Sequence, residues 1–325
     1  MTKLHKGIIS IAGGKGGTGK SFLTANLGAA LALLGNKVII IDTDFGCPNL
    51  NQFTSVRKPQ VSLTNFFLSE NYYLPDLVVD TSIDNLKIIP CGSKAYGIAN
   101  LPYGKKRSLL DKIRHLEADY ILIDIGAGSN FNTIDFFNLS DEGILVSSPN
   151  SISRTNSMIF LKTALYRKII QTIRQNKEVW AEITKYIKEK KREAFDINAV
   201  LTWVVLNSKP MVVELHKLLN HYKPRFMFNN VQDQDVKTIA HTIIRLTKQH
   251  LQIDLGYIGA VRHDHIIENS DDVPEIFLLQ HPNSKGAEDI FRVATRAIDH
   301  HHTSYKEFVN IINNITQNTD LENTD

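Results

Sequence analysis

One stretch constrains the fold of this chain more than any other. Gly14-Lys15-Gly16-Gly17-Thr18-Gly19-Lys20-Ser21 fits the phosphate-binding pattern G-x-x-x-x-G-K-[ST] at every fixed position. Ahead of it, Gly7-Ile8-Ile9-Ser10-Ile11-Ala12 reads as a buried strand. Behind it, Leu23, Leu27, Ala30, Leu31 and Leu34 recur at the spacing of one helix face, and Gly35 is placed to end that helix. Strand, glycine loop and helix are the context the pattern requires, which sets aside an ordinary glycine-rich turn. Glycines let successive backbone N–H groups curl around phosphate oxygens, and the positive end of the helix dipole faces the same anion. Lys20 can then reach the β- and γ-phosphates, and the Ser21 hydroxyl can ligate Mg²⁺.

Two further strands end in carboxylates. Lys37-Val38-Ile39-Ile40-Ile41-Asp42 is a second apolar run, and a helical crossover between it and the first strand implies parallel pairing. It leads into Asp42-Thr43-Asp44-Phe45-Gly46-Cys47-Pro48-Asn49-Leu50, which is either a ligand-facing loop or an Asp-rich turn broken by Gly46 and Pro48. Tyr120-Ile121-Leu122-Ile123-Asp124 has the form of a metal-binding strand, its Asp holding Mg²⁺ directly or through water. Further strands are predicted at Leu86–Pro90, Gly143–Pro149, Arg225–Val231 and Leu255–Gly259, and helices after Met158, over Val236 to Gln249 and over Ser284 to Ala297. Asn229, or Asn230 if the register differs by one, offers an amide donor and acceptor that match an adenine edge; an Asn-Asn turn is the competing reading.

Composition bounds the rest. The chain has 325 residues, 42% hydrophobic and 22% charged, enough apolar material for one large core or two ordinary ones. No apolar run approaches the ~18 residues of a membrane-spanning helix. Met1 to Lys6 lead straight into the first strand, leaving no room for a signal peptide. The two cysteines, Cys47 and Cys91, make no disulfide framework. The cytoplasm is the expected compartment, and a net charge of +3 does not argue for nucleic acid or anionic membrane.

Lys15-Gly16-Gly17-Thr18-Gly19-Lys20-Ser21 resembles the deviant phosphate loop K-G-G-x-G-K-[ST] of the MinD/ParA superfamily of ATPases. Asp42 to Leu50 resembles the D-x-D-x-G-x-x-N-L stretch of MinD and its flagellar relative FlhG, and Asp124-Ile125-Gly126-Ala127-Gly128 the D-x-G-A-G loop of FlhG-type proteins. The resemblance covers roughly residues 5–170 and 224–300. It implies ATP with Mg²⁺ as ligands, bound by Gly14 through Ser21 with Phe22, and by Asn229 at the base. It implies catalytic roles for Lys15, Lys20, Asp44 and Asp124: Lys15 crosses to the nucleotide of a second copy, and Asp44 positions the attacking water. Ser21, Asp44 and Asp124 form the metal side, and Asp42 supports it. Cys47 and Cys91 do not fall at the cluster positions of the related nitrogenase reductase.

The expected architecture is α/β, a three-layer P-loop NTPase with a mostly parallel central sheet. One ATPase domain covers 1–302, a helical insertion lies at about 171–223, and 303–325, rich in Asn, Asp and Thr, is a flexible tail. Lys105-Lys106-Arg107 is expected on a solvated helix face. The cluster Lys188, Lys190, Lys191 and Arg192 is either a DNA or membrane contact or a solvated face with Glu189 and Glu193 interleaved, composition favouring the second. His300-His301-His302 are consecutive and share no helix face, so no designed metal site is expected. The resemblance implies a positioning ATPase closest to FlhG, cytoplasmic and peripheral at the membrane or cell pole. It would dimerise on ATP and be read by a partner protein such as an FlhF-like GTPase. Membrane contact should be weak or indirect, because the acidic surroundings of Phe308, Val309, Ile311 and Ile312 repel anionic headgroups. The alternatives are a ParA-like nucleoid-binding ATPase and an ATP-dependent carboxylate-activating ligase of the cobyrinate or dethiobiotin synthetase type.

Overall fold

A computed structural model describes residues 6–69, 72–92, 103–140, 142–189, 197–232, 234–269, 275–299 and 302–322. Eight strands, β1 Gly7–Ala12, β2 Val38–Asp42, β3 Val79–Asp80, β4 Leu86–Ile89, β5 Tyr120–Asp124, β6 Ile144–Ser147, β7 Arg225–Val231 and β8 Gly256–Arg262, form one sheet in the order β3-β4-β2-β5-β1-β6-β7-β8. Every pairing is parallel except that of β3 with β4. Central parallel strands are covered on both faces, which explains the unbroken apolar runs: β2 is buried at every position and β5 at all but its first. Side chains alternate between the two faces. Ile39 and Ile41 join the core beneath helices Tyr103–Ile113, Phe131–Phe137 and Ser151–Gln175, while Val38 and Ile40 join the one beneath helices Lys20–Leu33 and Lys285–Ala297.

The chain fills one side of β1 with β2, β4 and β5, then crosses to the other side with β6, β7 and β8. The order therefore reverses at β1, and a crevice opens at the carboxyl ends of the strands there. The phosphate loop follows β1 into this crevice.

Two expectations need correction. The flexible tail is instead a helix, Tyr305–Glu322, whose Phe308 and Ile312 are fully buried and whose Tyr305 packs on Phe291. Its apolar positions recur at helical spacing and find an uncovered strip beside helix Lys285–Ala297, and that burial outweighs the polar composition. Lys106 is likewise not on a solvated face. It is buried and ion-paired with Asp135, which also accepts from Arg167 Nε (2.9 Å), Arg167 Nη2 (3.0 Å) and Gln171 Nε2 (2.9 Å). Burial alone would raise the Asp135 carboxyl, but the hydrogen bonds from Arg167 and Lys106 prevail and hold it below the usual range. The described part of 171–223 is helical, with Lys177–Glu189, Ile197–Asn207 and Lys209–His221 following the long helix Ser151–Gln175. Ile183, Ile187, Val200, Val204, Met211 and Leu215 extend the main core rather than forming a separate one. Lys190, Lys191, Arg192 and Glu193 lie outside the described residues, as do His300 and His301.

Candidate nucleotide site

The phosphate loop is held from two sides. Gly14 lies so close to helix Ser151–Gln175 that a side chain there would collide with the backbone of Asn156 and Ser157. Gly19 has a left-handed backbone (φ 82°), and a Cβ on it would overlap the Asn229 amide. That amide donates from Nδ2 to the Thr18 carbonyl at 3.0 Å, tying the end of β7 to the loop. Neither glycine tolerates replacement, for steric reasons that the pattern alone does not reveal.

The two loop lysines diverge. Lys20 opens helix Lys20–Leu33 and is only 7% exposed, whereas Lys15 is exposed and forms no ion pair with any described residue. Asp42 and Asp124 are register partners on adjacent strands, both buried. Asp42 Oδ1 accepts from Asp44 N at 2.9 Å and Oδ2 from Leu50 N at 3.2 Å, so this carboxylate shapes the loop that carries Asp44. Burial, then the neighbouring charge of Asp124, pushes the Asp42 carboxyl well up. Asp124 Oδ1 accepts from Thr24 Oγ1 at 3.4 Å with the Ser21 hydroxyl nearby, while its Oδ2 is buried with no hydrogen-bond partner among the described residues. Burial raises Asp124 to about 7 against the pull of Ser21 and Lys20.

Asp44 is partly exposed, and its Oδ1 accepts from Gly46 N (3.1 Å) and Cys47 N (3.0 Å). The Asp-rich turn and the ligand-facing loop are thus one structure. The loop after β5 lies directly against it, since a methyl group on Gly126 would come within 2.9 Å of Asp44 Oδ1.

A buried carboxylate oxygen without a donor, next to a serine hydroxyl and beneath a cradle of backbone N–H groups, suits a hard divalent cation shared with phosphate oxygens. The fold brings Ser21, Lys20 and Asp124 together. The Phe22 ring is buried edge-on against Phe53 and Phe277, so only the backbone N–H of Phe22, in the first helical turn, is left to face the crevice. Asn230 turns away with a positive φ of 57° and meets His263 Nδ1 at 2.9 Å. Asp264 holds Ile266 N and Gly286 N, a structural tie. Cys47 and Cys91 are free thiols, one exposed and one buried, and the described residues contain no group of His, Cys, Asp and Glu able to hold a metal by themselves. Sequence reasoning missed Thr24, whose place one helical turn after Lys20 was the available signal.

Residues 9–319 match the family described as the CobQ/CobB/MinD/ParA nucleotide binding domain. The chain belongs to this family. Among similar proteins is the septum site-determining protein MinD of Synechocystis, 35% identical over 143 residues, 44% of this chain and 53% of that protein. The flagellum site-determining protein YlxH of Helicobacter pylori is 29% identical over 70% of this chain and 79% of its own length. The chain spans about half the length of the MinD relatives it matches by sequence. By shape it resembles MinD of Pyrococcus horikoshii, solved with Mg-ADP, at a TM-score of 0.58 and 23% identity, covering 88% of this chain and 93% of that one. It also resembles the Aquifex aeolicus MinC:MinD complex at 0.60 and 18%, covering 92% and 98%. These likenesses establish the three-layer, mostly parallel α/β fold of this nucleotide-binding family. No described helix is long and apolar enough to cross a membrane.

Proposed function

We propose that the chain is a MinD/FlhG-like ATPase that binds ATP with Mg²⁺, closes into a homodimer around it and opens on hydrolysis, and so helps position a cell-envelope structure such as the flagellum. The observation that carries this reading is the divergence of the two loop lysines. Lys20 is spent inside its own site, while Lys15 points outward unpaired, which suits a lysine whose phosphate belongs to a second copy. The relatives named for septum and flagellum placement support the positioning role, and the neighbour solved with Mg-ADP supports the ligand.

In this mechanism the backbone N–H groups of 14–20 and the Lys20 ammonium bind the phosphates. Ser21 and Asp124 would hold Mg²⁺, which neutralises charge on the β- and γ-phosphate oxygens. Asp44, held at the end of its loop beside Gly126, would orient the attacking water. The loops of Asp44 and Gly126 touch, so loss of the γ-phosphate would be felt by both at once. A partner protein would read the closed dimer. The tail helix spends Phe308 and Ile312 on the core, which keeps any membrane contact weak or indirect.

The test is the solution mass of Asp44→Ala by light scattering. A dimer with Mg-ATP and a monomer with ADP are expected, and adding Lys15→Ala should abolish the dimer. A monomer in both nucleotides would remove the role given to Lys15.

A further inference from the structure

Beyond the nucleotide crevice, the loop that carries Asp44 continues into the wall of a second depression. Leu50 N–H is held by Asp42, and the turn Leu50–Phe53 that follows presents Asn51 and Gln52 to an open cleft of about 720 Å³. Residues 48–69 supply most of its lining, and Pro90 and Gly92 at the end of β4 close it. The volume is that of a ligand site rather than a surface dimple.

The chemistry of the lining is one-sided. Among the described residues it includes Arg57 and Lys58 and not a single Asp or Glu. Both cations are exposed, and neither makes an ion pair with any described residue. The side-chain amides of Gln52 and Gln60, also in the lining, hydrogen-bond to nothing among the described residues. Leu68 is 71% exposed at the edge, and Pro48, Pro59 and Pro90 add apolar surface. A chain in which acidic and basic residues are nearly balanced has here concentrated unspent positive charge, unspent amides and an apolar edge in one cleft.

Three classes of ligand can be weighed against this set. A small inorganic anion is best held by buried cations and converging N–H groups, whereas Arg57 and Lys58 stand exposed. A nucleic acid needs a stripe of phosphate contacts, and two cations do not make one. An extended acidic peptide uses everything present: carboxylates meet Arg57 and Lys58, the free amides pair with main-chain N–H and C=O groups, and an apolar side chain covers Leu68.

We propose that this cleft docks a short acidic segment of a partner protein, with its carboxylates on Arg57 and Lys58 and an apolar side chain on Leu68. The proposal concerns binding alone and stands whether or not the chain turns over ATP.

The test is to pan a display library of random heptapeptides against the full chain, then measure the best binder, fluorescently labelled, by anisotropy. Selected peptides should be rich in Asp and Glu with at least one apolar residue. Their affinity should fall about tenfold or more in the double variant Arg57→Glu, Lys58→Glu, and weaken as salt rises. The double variant Arg57→Gln, Lys58→Gln should give an intermediate loss. Melting temperature checks the fold of each variant, and because both side chains are exposed it should not move. A selection without acidic bias, or an acidic peptide that binds the reversed variant unchanged, would overturn the proposal. So would phosphatidylglycerol vesicles that sediment the chain through Arg57 and Lys58 while no acidic peptide binds.

Discussion

Asp124 and Asp135 are both buried aspartates that end or follow the same strand, and they stand in opposite electrostatic conditions. Asp135 has four donors on its two oxygens, from Lys106, Arg167 and Gln171, and its carboxyl is held low despite burial. Asp124 sits beside Asp42, keeps one oxygen without a partner among the described residues and is pushed up to about 7. Burial is common to both, so burial does not mark function. An oxygen whose desolvation nothing in the chain compensates does, because folding alone would not favour it and a bound cation would. The satisfied aspartate fastens helices Tyr103–Ile113, Phe131–Phe137 and Ser151–Gln175 together, and the unsatisfied one stands at the carboxyl end of β5, beside the strand that feeds the phosphate loop.

The largest effect that would break this comparison is on stability. Asp135→Asn leaves the buried Lys106 and the Arg167 guanidinium without a counter-charge, and removing one member of such a pair costs about 3–5 kcal/mol. Urea denaturation should show that loss. A cost under about 1 kcal/mol would mean that the cluster is solvated and that the contrast with Asp124 is one of degree. Asp124→Asn should do the reverse. It removes a poorly compensated buried charge, so stability should hold or rise, while Mg²⁺-dependent ATP turnover should drop by about a hundredfold or more, as expected when several kcal/mol of metal-borne stabilisation is lost. Phosphate release at saturating Mg-ATP checks it.

A pH series sharpens the same contrast. The folded-state pKa of Asp135 lies below its ordinary value of about 3.9, so the folded state binds its proton less readily than the unfolded chain. Its stabilisation is therefore complete above that value and is lost as the pH falls through the folded-state pKa. The stability gap between the wild type and Asp135→Asn should be full from neutral pH down to about 5 and should shrink at about pH 3. Urea midpoints measured across that range decide it. A gap independent of pH would point to packing rather than charge.

What could be read in advance follows how local each feature is. The phosphate loop, its strand and its helix are contiguous, so spacing alone located Lys20 and Ser21. Asp42 and Asp124 were legible because each ends an apolar run, and parallel pairing brings the two ends together. The Asp135 cluster was not, because Lys106, Asp135, Arg167 and Gln171 come from three separate helices and no local pattern marks them as partners. Lys106 carried the signature of a charge run, and only tertiary packing turned it inward. In the tail, Tyr305, Phe308, Ile312 and Ile315 keep helical spacing; Phe308 and Ile312 stood out as apolar, but the Asn, Asp and Thr around them gave no sign of the strip on which they pack. Phe22 divides its roles: its ring faces Phe53 and Phe277, which leaves its backbone N–H in the first helical turn as the group available to a phosphate.

Asn229 gives the smallest and most discriminating test. Sequence suggested that its amide reads adenine, yet in the fold one of the two Nδ2 hydrogens already holds the Thr18 carbonyl. By the rule drawn from the two aspartates, a satisfied group is structural, so Asn229 should act by holding the loop rather than by touching the base. Asn229→Ala should then cost about 1 kcal/mol of stability, the worth of one hydrogen bond, and weaken ADP and GDP binding by the same modest factor. A base reader would behave differently: its removal would weaken ADP alone and bring the two affinities together. Calorimetric titration of both nucleotides against the wild type and the variant separates the two roles, and a loss confined to ADP would show that the Thr18 contact exchanges for the adenine when the nucleotide binds.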